Sequence, residues 1–290
     1  MEITERQREN IRELQQDEIN GLKTYQRLAK MIKDEHNSDV LMRIAEEEQK
    51  HYDIWKKYTG ETVKPNQFRV NLFYWLSKIF GITFGIRLME QGEEEAQEAY
   101  KEILDEIPEA AEVLREEEKH EDQLLDMLDE DALRYAGSVV LGLNDALVEL
   151  TGALAGLTFA FQNTRVIALA GLITGISASF SMAASEYLST KSEKGEADPV
   201  RSAVYTGIAY IFTVFVLVMP YLLTANFYIS LGWTILNAII VIALFNYYIS
   251  IARGYNFRRR FFEMAGISLG VALFSFVLGS LIRNWLGVDF

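Results

Sequence analysis

The stretch Ser138-Val-Val-Leu-Gly-Leu-Asn144-Asp145-Ala-Leu-Val-Glu149-Leu-Thr-Gly-Ala-Leu-Ala-Gly-Leu-Thr-Phe-Ala-Phe161 decides the architecture. It is an apolar run broken by Asn144, Asp145 and Glu149, and at ~1.5 Å per residue it is long enough to cross a ~30 Å hydrocarbon layer. Four more runs of this kind follow near 165–189, 202–224, 227–251 and 261–286. Soluble buried helices rarely come five in a row at this length, which sets aside an all-α globular core. The pattern predicts a five-helix membrane domain over 136–290.

Working outward, the charge divides at the same place. Residues 1–135 hold 19 basic and 33 acidic side chains; residues 136–290 hold 9 and 8, within a total net charge of −13. An acidic first half argues against nucleic acid, whose phosphates require clustered Lys and Arg. Zero cysteines exclude disulfides, thiolate metal sites and a cysteine nucleophile. No G-x-x-x-x-G-K-[ST] string points to ATP-driven work, and Met1-Glu2-Ile3-Thr4-Glu5-Arg6 lacks the apolar core of a signal peptide. Lys and Arg at the span ends set the orientation. An N-terminus in the cytoplasm collects Arg134, Lys191, Lys194, Arg201, Arg253, Arg258, Arg259 and Arg260 on that side, against Arg165 and Arg283 outside. The expectation is an integral protein of a prokaryotic inner membrane, first half cytoplasmic, Phe290 outside.

The first 135 residues read as four helices: A near 4–34, B near 38–58, C near 83–107, and D from Pro108, which a first turn tolerates. Between B and C lies the aromatic-rich piece Phe68–Phe84, open to three readings: a crossover packed on the bundle, a dimer contact, or a strip on the membrane surface. Packing ranks first, since aromatic stripes are usually core. His36, at the A–B turn, reads as a solvated surface residue.

Each helix has an apolar stripe at 3–4 spacing with one glutamate where an apolar residue is due. Helix A runs Ile11, Leu14, Glu18, Leu22, Tyr25, Leu28, Ile32. Helix B runs Leu41, Ile44, Glu48, His51, Trp55, Tyr58. Helix C runs Ile86, Met89, Glu93, Ala96, Tyr100, Ile103, Ile107. Helix D runs Ala110, Leu114, Glu117, His120, Leu124, Met127. The phase turns one member of each triplet (46–48, 93–95, 116–118) inward. Several ionised carboxylates in one core cost several kcal/mol each unless a cation neutralises them. Glu48/His51 and Glu117/His120 form two Glu-x-x-His pairs on single helix faces. Two lone glutamates plus two such pairs is the ligand set of a carboxylate di-iron or di-manganese bundle.

This half resembles the ferritin-like di-iron family, of the rubrerythrin and bacterioferritin kind, over about residues 5–130. Family members place Tyr seven residues after the Glu of helices A and C, as in Glu18/Tyr25 and Glu93/Tyr100. The resemblance implies a di-iron centre (Fe²⁺/Fe³⁺, or Mn²⁺) held by Glu18, Glu48, His51, Glu93, Glu117 and His120, with Glu90 as a seventh ligand. The rubredoxin module of many rubrerythrins is absent.

In the membrane half, ionisable groups are functional candidates by default. Asp145 and Glu149 share a face of span 1, Met182 and Glu186 a face of span 2, and antiparallel neighbours bring them to similar depth near the cytoplasmic side. Spans 3 and 4 hold no acidic or basic side chain, so the polar pathway is expected in spans 1 and 2. Carboxylates with a polarisable sulfur favour Fe²⁺ over Mg²⁺ or Ca²⁺. Gly152/Gly156, Gly171/Gly175 and Gly266/Gly270 form G-x-x-x-G patterns suited to close helix packing.

The strings Leu141-Gly-Leu-Asn-Asp145-Ala-Leu-Val-Glu149 and Ser181-Met182-Ala-Ala-Ser-Glu186-Tyr-Leu-Ser are similar to the vacuolar iron transporter family over about 136–290. That resemblance implies a homodimer exporting Fe²⁺, often Mn²⁺ too, from the cytosol in exchange for H⁺. Asp145 and Met182 would be central transport ligands, and Glu149 and Glu186 would assist the metal or carry protons. The family's Glu-rich segment between spans 2 and 3 is reduced here to the short 190–201 break, and the N-terminal bundle is the obvious substitute. The combination resembles membrane-bound ferritin proteins, which join both parts in this order. A membrane-anchored ferroxidase or peroxide-reducing enzyme, with spans only tethering it, is the alternative.

Overall fold

The computed structural model describes residues 4–89, 107–126, 135–193 and 197–286, and their regular structure is entirely helical. The chain falls into two compact units, Met1–Glu130 and Asp131–Phe290.

In the first unit, α1 (Glu5–Ala29) starts at a capping box in which Thr4 and Gln7 satisfy each other's backbone N–H. It stops five residues short of its periodicity, because Asp34 caps the Asn37 N–H and starts α2 (Glu35–Thr59) early. Gly60, at φ 70°, ends α2 in the left-handed region that glycine adopts without strain. The crossover is itself helical: Asn66 caps α3 (Gln67–Phe80), and Gly81, at φ 98°, separates it from α4 (82–89). α5 is Ala110–Asp126. α1 packs along α2, and α3 lies on α1, which agrees with the packed reading for one face of the crossover.

The core has two apolar parts. Ile11, Leu14, Trp55, Ile107, Ala110 and Val113 form one cluster. Leu22, Tyr25, Leu28, Leu41, Ile44 and Ile86 belong to the other. In α5, Val113 is buried where the stripe named Leu114. His36 is exposed, as expected.

The second unit contains α6 (Ala136–Phe161), α7 (Thr164–Ser192), α8 (Pro199–Leu223), α9 (Phe227–Arg253) and α10 (Phe257–Leu286). All five are long and apolar enough to cross a membrane. α6 packs on α10 and α8, and α7 on α8. Small residues allow the approach: a Cβ at Gly142 would stand 2.6 Å from Thr206 O, and one at Gly156 3.0 Å from Ser275 O. Gly175 likewise faces Val214, whereas Gly266 and Gly270 face open space, so the third glycine pattern makes no contact among the described residues. Pro220 lacks the N–H that would reach Val216 O, and Asn237 of α9 donates to that carbonyl at 2.9 Å.

Candidate metal centre

Between the two apolar clusters lies a polar layer. Glu18, Glu48, His51 and His120 are all at least 96% buried. Glu117 joins them at 19% side-chain exposure. Three helices contribute: α1 brings Glu18, α2 brings Glu48 and His51 one turn apart, and α5 brings Glu117 and His120 at the same spacing. Their apolar neighbours in the stripe are buried with them, so the packing that hides Leu14, Leu22 and Ile44 hides the carboxylates too.

Glu117 sits between the imidazoles. Its Oε1 lies 2.8 Å from His51 Nδ1 and its Oε2 3.4 Å from His120 Nδ1. Glu18 Oε2 is 3.4 Å from His51 Nδ1, and Glu48 Oε1 is 3.7 Å from His120 Nδ1. The rings stack with centroids 5.7 Å apart. Despite these short separations, neither Nδ1 has a hydrogen bond of acceptable geometry. Ligand atoms of Glu18, Glu48, His51 and Glu117 lie within 4.8 Å of one another, close enough to hold one metal ion. Nitrogen and oxygen donors that converge without bonding each other fit a shared cation, and carboxylate with imidazole suits iron or manganese.

The outer nitrogens are occupied. His51 Nε2 lies 2.8 Å from Glu116 Oε2, and His120 Nε2 lies 2.5 Å from Glu47 Oε2. Each helix thus supplies the carboxylate that orients the other's histidine, the usual support of a metal-bound imidazole. Glu48 is the inward member of its triplet, while Glu47 and Glu116, partly exposed, reach the rings from the rim, a role that the reading of the stripe did not include. Each directly precedes an inward glutamate, and that adjacency was the available signal. Trp55 Nε1 donates to Glu18 Oε1 at 2.9 Å.

Without metal, the layer holds protons. Burial opposes charge on His51, but the carboxylates of Glu117 and Glu18 outweigh it and push the imidazole up to about 11. His120 moves the same way against burial, through Glu117 and Glu47. Burial likewise opposes charge on Glu117, and the two imidazoles bring it down to about 2. Five carboxylates therefore face two imidazoles, leaving negative charge for a metal to neutralise. Glu90 and Glu93, the ligands expected from helix C, lie outside the described residues.

In the second unit, Asp145 and Glu149 lie on α6, Met182 and Glu186 on α7. Ser138 Oγ donates to Glu186 Oε1 at 2.6 Å, joining α6 to α7. Tyr210 of α8, fully buried, donates to Glu149 Oε2 at 2.6 Å. Span 3 therefore adds a polar group that a search for charged residues passes over. Glu149 and Tyr210 border a cavity of about 370 Å³ lined also by Gly152, Gly156, Thr174 and Ser275. Among the described residues, three or more His, Asp or Glu donors converge only in the first unit.

The model of the VIT family matches residues 136–198, which span α6 and α7 and include Asp145, Glu149, Met182 and Glu186. No curated protein and no solved structure matches the chain. The family match over 136–198 and the five apolar helices support an integral membrane protein with a vacuolar iron transporter-type domain, and the family suggests a metal ion as substrate.

Proposed function

We propose that the chain exports Fe²⁺, or Mn²⁺, from the cytosol through residues 136–290 in exchange for protons. Residues 1–135 would form a cytoplasmic ferritin-like four-helix bundle that receives the same metal. The observation that carries the bundle's part is the buried layer of convergent carboxylates and imidazoles between two apolar clusters. Glu18, Glu48, His51 and Glu117 would hold one ion. His120, with Glu48, Glu117, Glu93 and Glu90, would hold a second. An iron pair bound there supplies one-electron redox chemistry; the chain's own part is to fix the ligands, orient both histidines through Glu47 and Glu116, and exclude water.

In the membrane, Asp145 and Met182 would bind the passing ion, with Glu149 and Glu186 assisting. A proton and a divalent cation compete for the same carboxylates, which couples their movements. The chain would act as a homodimer with its N-terminus in the cytoplasm of a prokaryotic cell and Phe290 outside. The test is Fe²⁺ flux into proteoliposomes under an imposed pH gradient. Asp145→Ala and Met182→Ala should each abolish flux while leaving metal bound in the bundle. Unchanged flux in both would overturn the transport assignment and favour an anchored oxidase.

A further inference from the structure

The helix α3 has two faces. On the inner one, Val70 and Ser77 are buried, and Phe73 and Tyr74 pack against the apolar cluster. Arg27 holds this face down, lying over the Tyr74 ring at 4.2 Å and donating to Asn71 Oδ1 at 2.6 Å. The outer face carries Phe68, Leu72, Trp75 and Ile79, spaced by four, three and four residues as one stripe along a helix. Phe68 is 75% exposed, Ile79 67% and Trp75 52%. The packing of the inner face accounts for the helix; nothing among the described residues of the unit accounts for the stripe.

Charge bears on what would cover it. From Thr62 to Met89 the chain carries Lys64, Arg69, Lys78 and Arg87 and no acidic residue, inside a half whose net charge is −14. Arg69 is committed to Asp17 at 2.7 Å. Lys78 is exposed beside the stripe, its Nζ 4.8 Å from the Trp75 ring centroid. Tryptophan and phenylalanine at an acyl boundary, with a lysine reaching to the headgroups, is the composition of an interfacial helix. A second copy of this face fits less well. It would bring like charges together, and the stripe exposes roughly 500 Å², short of the ~800 Å² per partner in a stable interface. The unit is also tethered to helices of membrane-crossing length, so a lipid surface is always at high effective concentration.

We propose that the outer face of α3, with Lys78, is a binding site for anionic lipid that lies in the membrane interface. The absence of cysteine makes a clean test possible in the full-length chain. Ile79→Cys and, as a control on exposed α2 surface, Asp53→Cys are each labelled with a polarity-sensitive fluorophore. Both are reconstituted in phosphatidylcholine vesicles with and without phosphatidylglycerol. The label at 79 should be shielded from acrylamide and quenched by nitroxide-bearing lipids in the anionic vesicles, with the label at 53 unaffected. Lys78→Glu should weaken docking by roughly 30-fold, the effect of reversing one charge near an anionic surface. A label at 79 that is equally accessible in both vesicles overturns the proposal. So does shielding that persists in detergent with short spin–spin distances between copies, which would make the face a dimer contact. Unchanged metal binding in the labelled variants shows that the bundle remains folded.

Discussion

Gly21 offers the sharpest test of the bundle site, because substitution there should move stability and metal binding in opposite directions. Gly21 lies in α1 opposite Glu48, and a Cβ added to it would stand 2.8 Å from Glu48 Oε2 and 3.3 Å from its Cδ. In metal-free protein the end of that flexible side chain can shift aside, and alanine in place of a mid-helix glycine gains about 1 kcal/mol. With metal bound, the carboxylate is held. Relieving the contact moves the oxygen by about 0.6 Å, where a ligand position tolerates ~0.2 Å. A disturbance of this kind costs roughly 10–100-fold in affinity, or about 1.4–2.7 kcal/mol of metal-dependent stabilisation. The assay is thermal unfolding of full-length Gly21→Ala in detergent, after chelation and again with saturating Mn²⁺, with affinity from calorimetric titration. The chelated variant should melt a few degrees above the parent, and Mn²⁺ should raise its midpoint by less. If the variant binds Mn²⁺ as tightly as the parent and gains equally in both states, Glu48 is no ligand and Gly21 serves packing alone.

Other expectations follow from the same layer. His51, pushed up to about 11, carries a proton at neutral pH in the metal-free protein. Metal must displace that proton, so Mn²⁺ binding should release at least one proton into weakly buffered solution and tighten as pH rises from 6 to 9, about tenfold per unit for each proton released. The linked stability has the opposite sign: the His51 contribution is complete below about 6.5 and lost as pH climbs through about 11. That of Glu117 is present above about 4.5 and lost as pH falls through about 2, which acid unfolding of chelated protein would follow. Glu47→Gln and Glu116→Gln should each weaken Mn²⁺ binding by roughly 10–100-fold. If both titrate like the parent, the outer carboxylates do not support the histidines.

Helical periodicity made most of the first unit legible, because a stripe that must be buried reports burial of whatever sits in it. Glu18, Glu48, His51 and His120 are as hidden as the leucines beside them. Periodicity has nothing to say about a residue one position out of phase. Glu47 and Glu116 reach the imidazoles because α2 and α5 approach closely there, and that is a property of two helices together. The crossover was half legible for the same reason: composition announced an apolar segment, but which residues pack depends on where Asn66 starts α3 and Gly81 stops it. In the membrane, charge marked Asp145, Glu149 and Glu186. Tyr210 was invisible, since a tyrosine in an apolar run resembles any aromatic until its hydroxyl is seen against Glu149.

The two sets of carboxylates differ in what stands against them, and that difference bears on the proposed division of labour. In the bundle, Glu117 faces imidazoles on both sides, and these offset part of the acids' charge when metal is absent. Such a site keeps part of its compensation when empty, which suits a resident ion. In the membrane unit, Glu186 is held by the Ser138 hydroxyl and Glu149 by the Tyr210 hydroxyl. Neutral donors fix a carboxylate's position without cancelling its charge. From Ala136 to Phe161 the chain contains no Lys, Arg or His, so within that helix only an incoming cation or proton can supply the compensation. A site so arranged is costly to leave empty in a low-dielectric surrounding. Such an arrangement suits the exchange of one positive species for another that the proposed coupled transport requires.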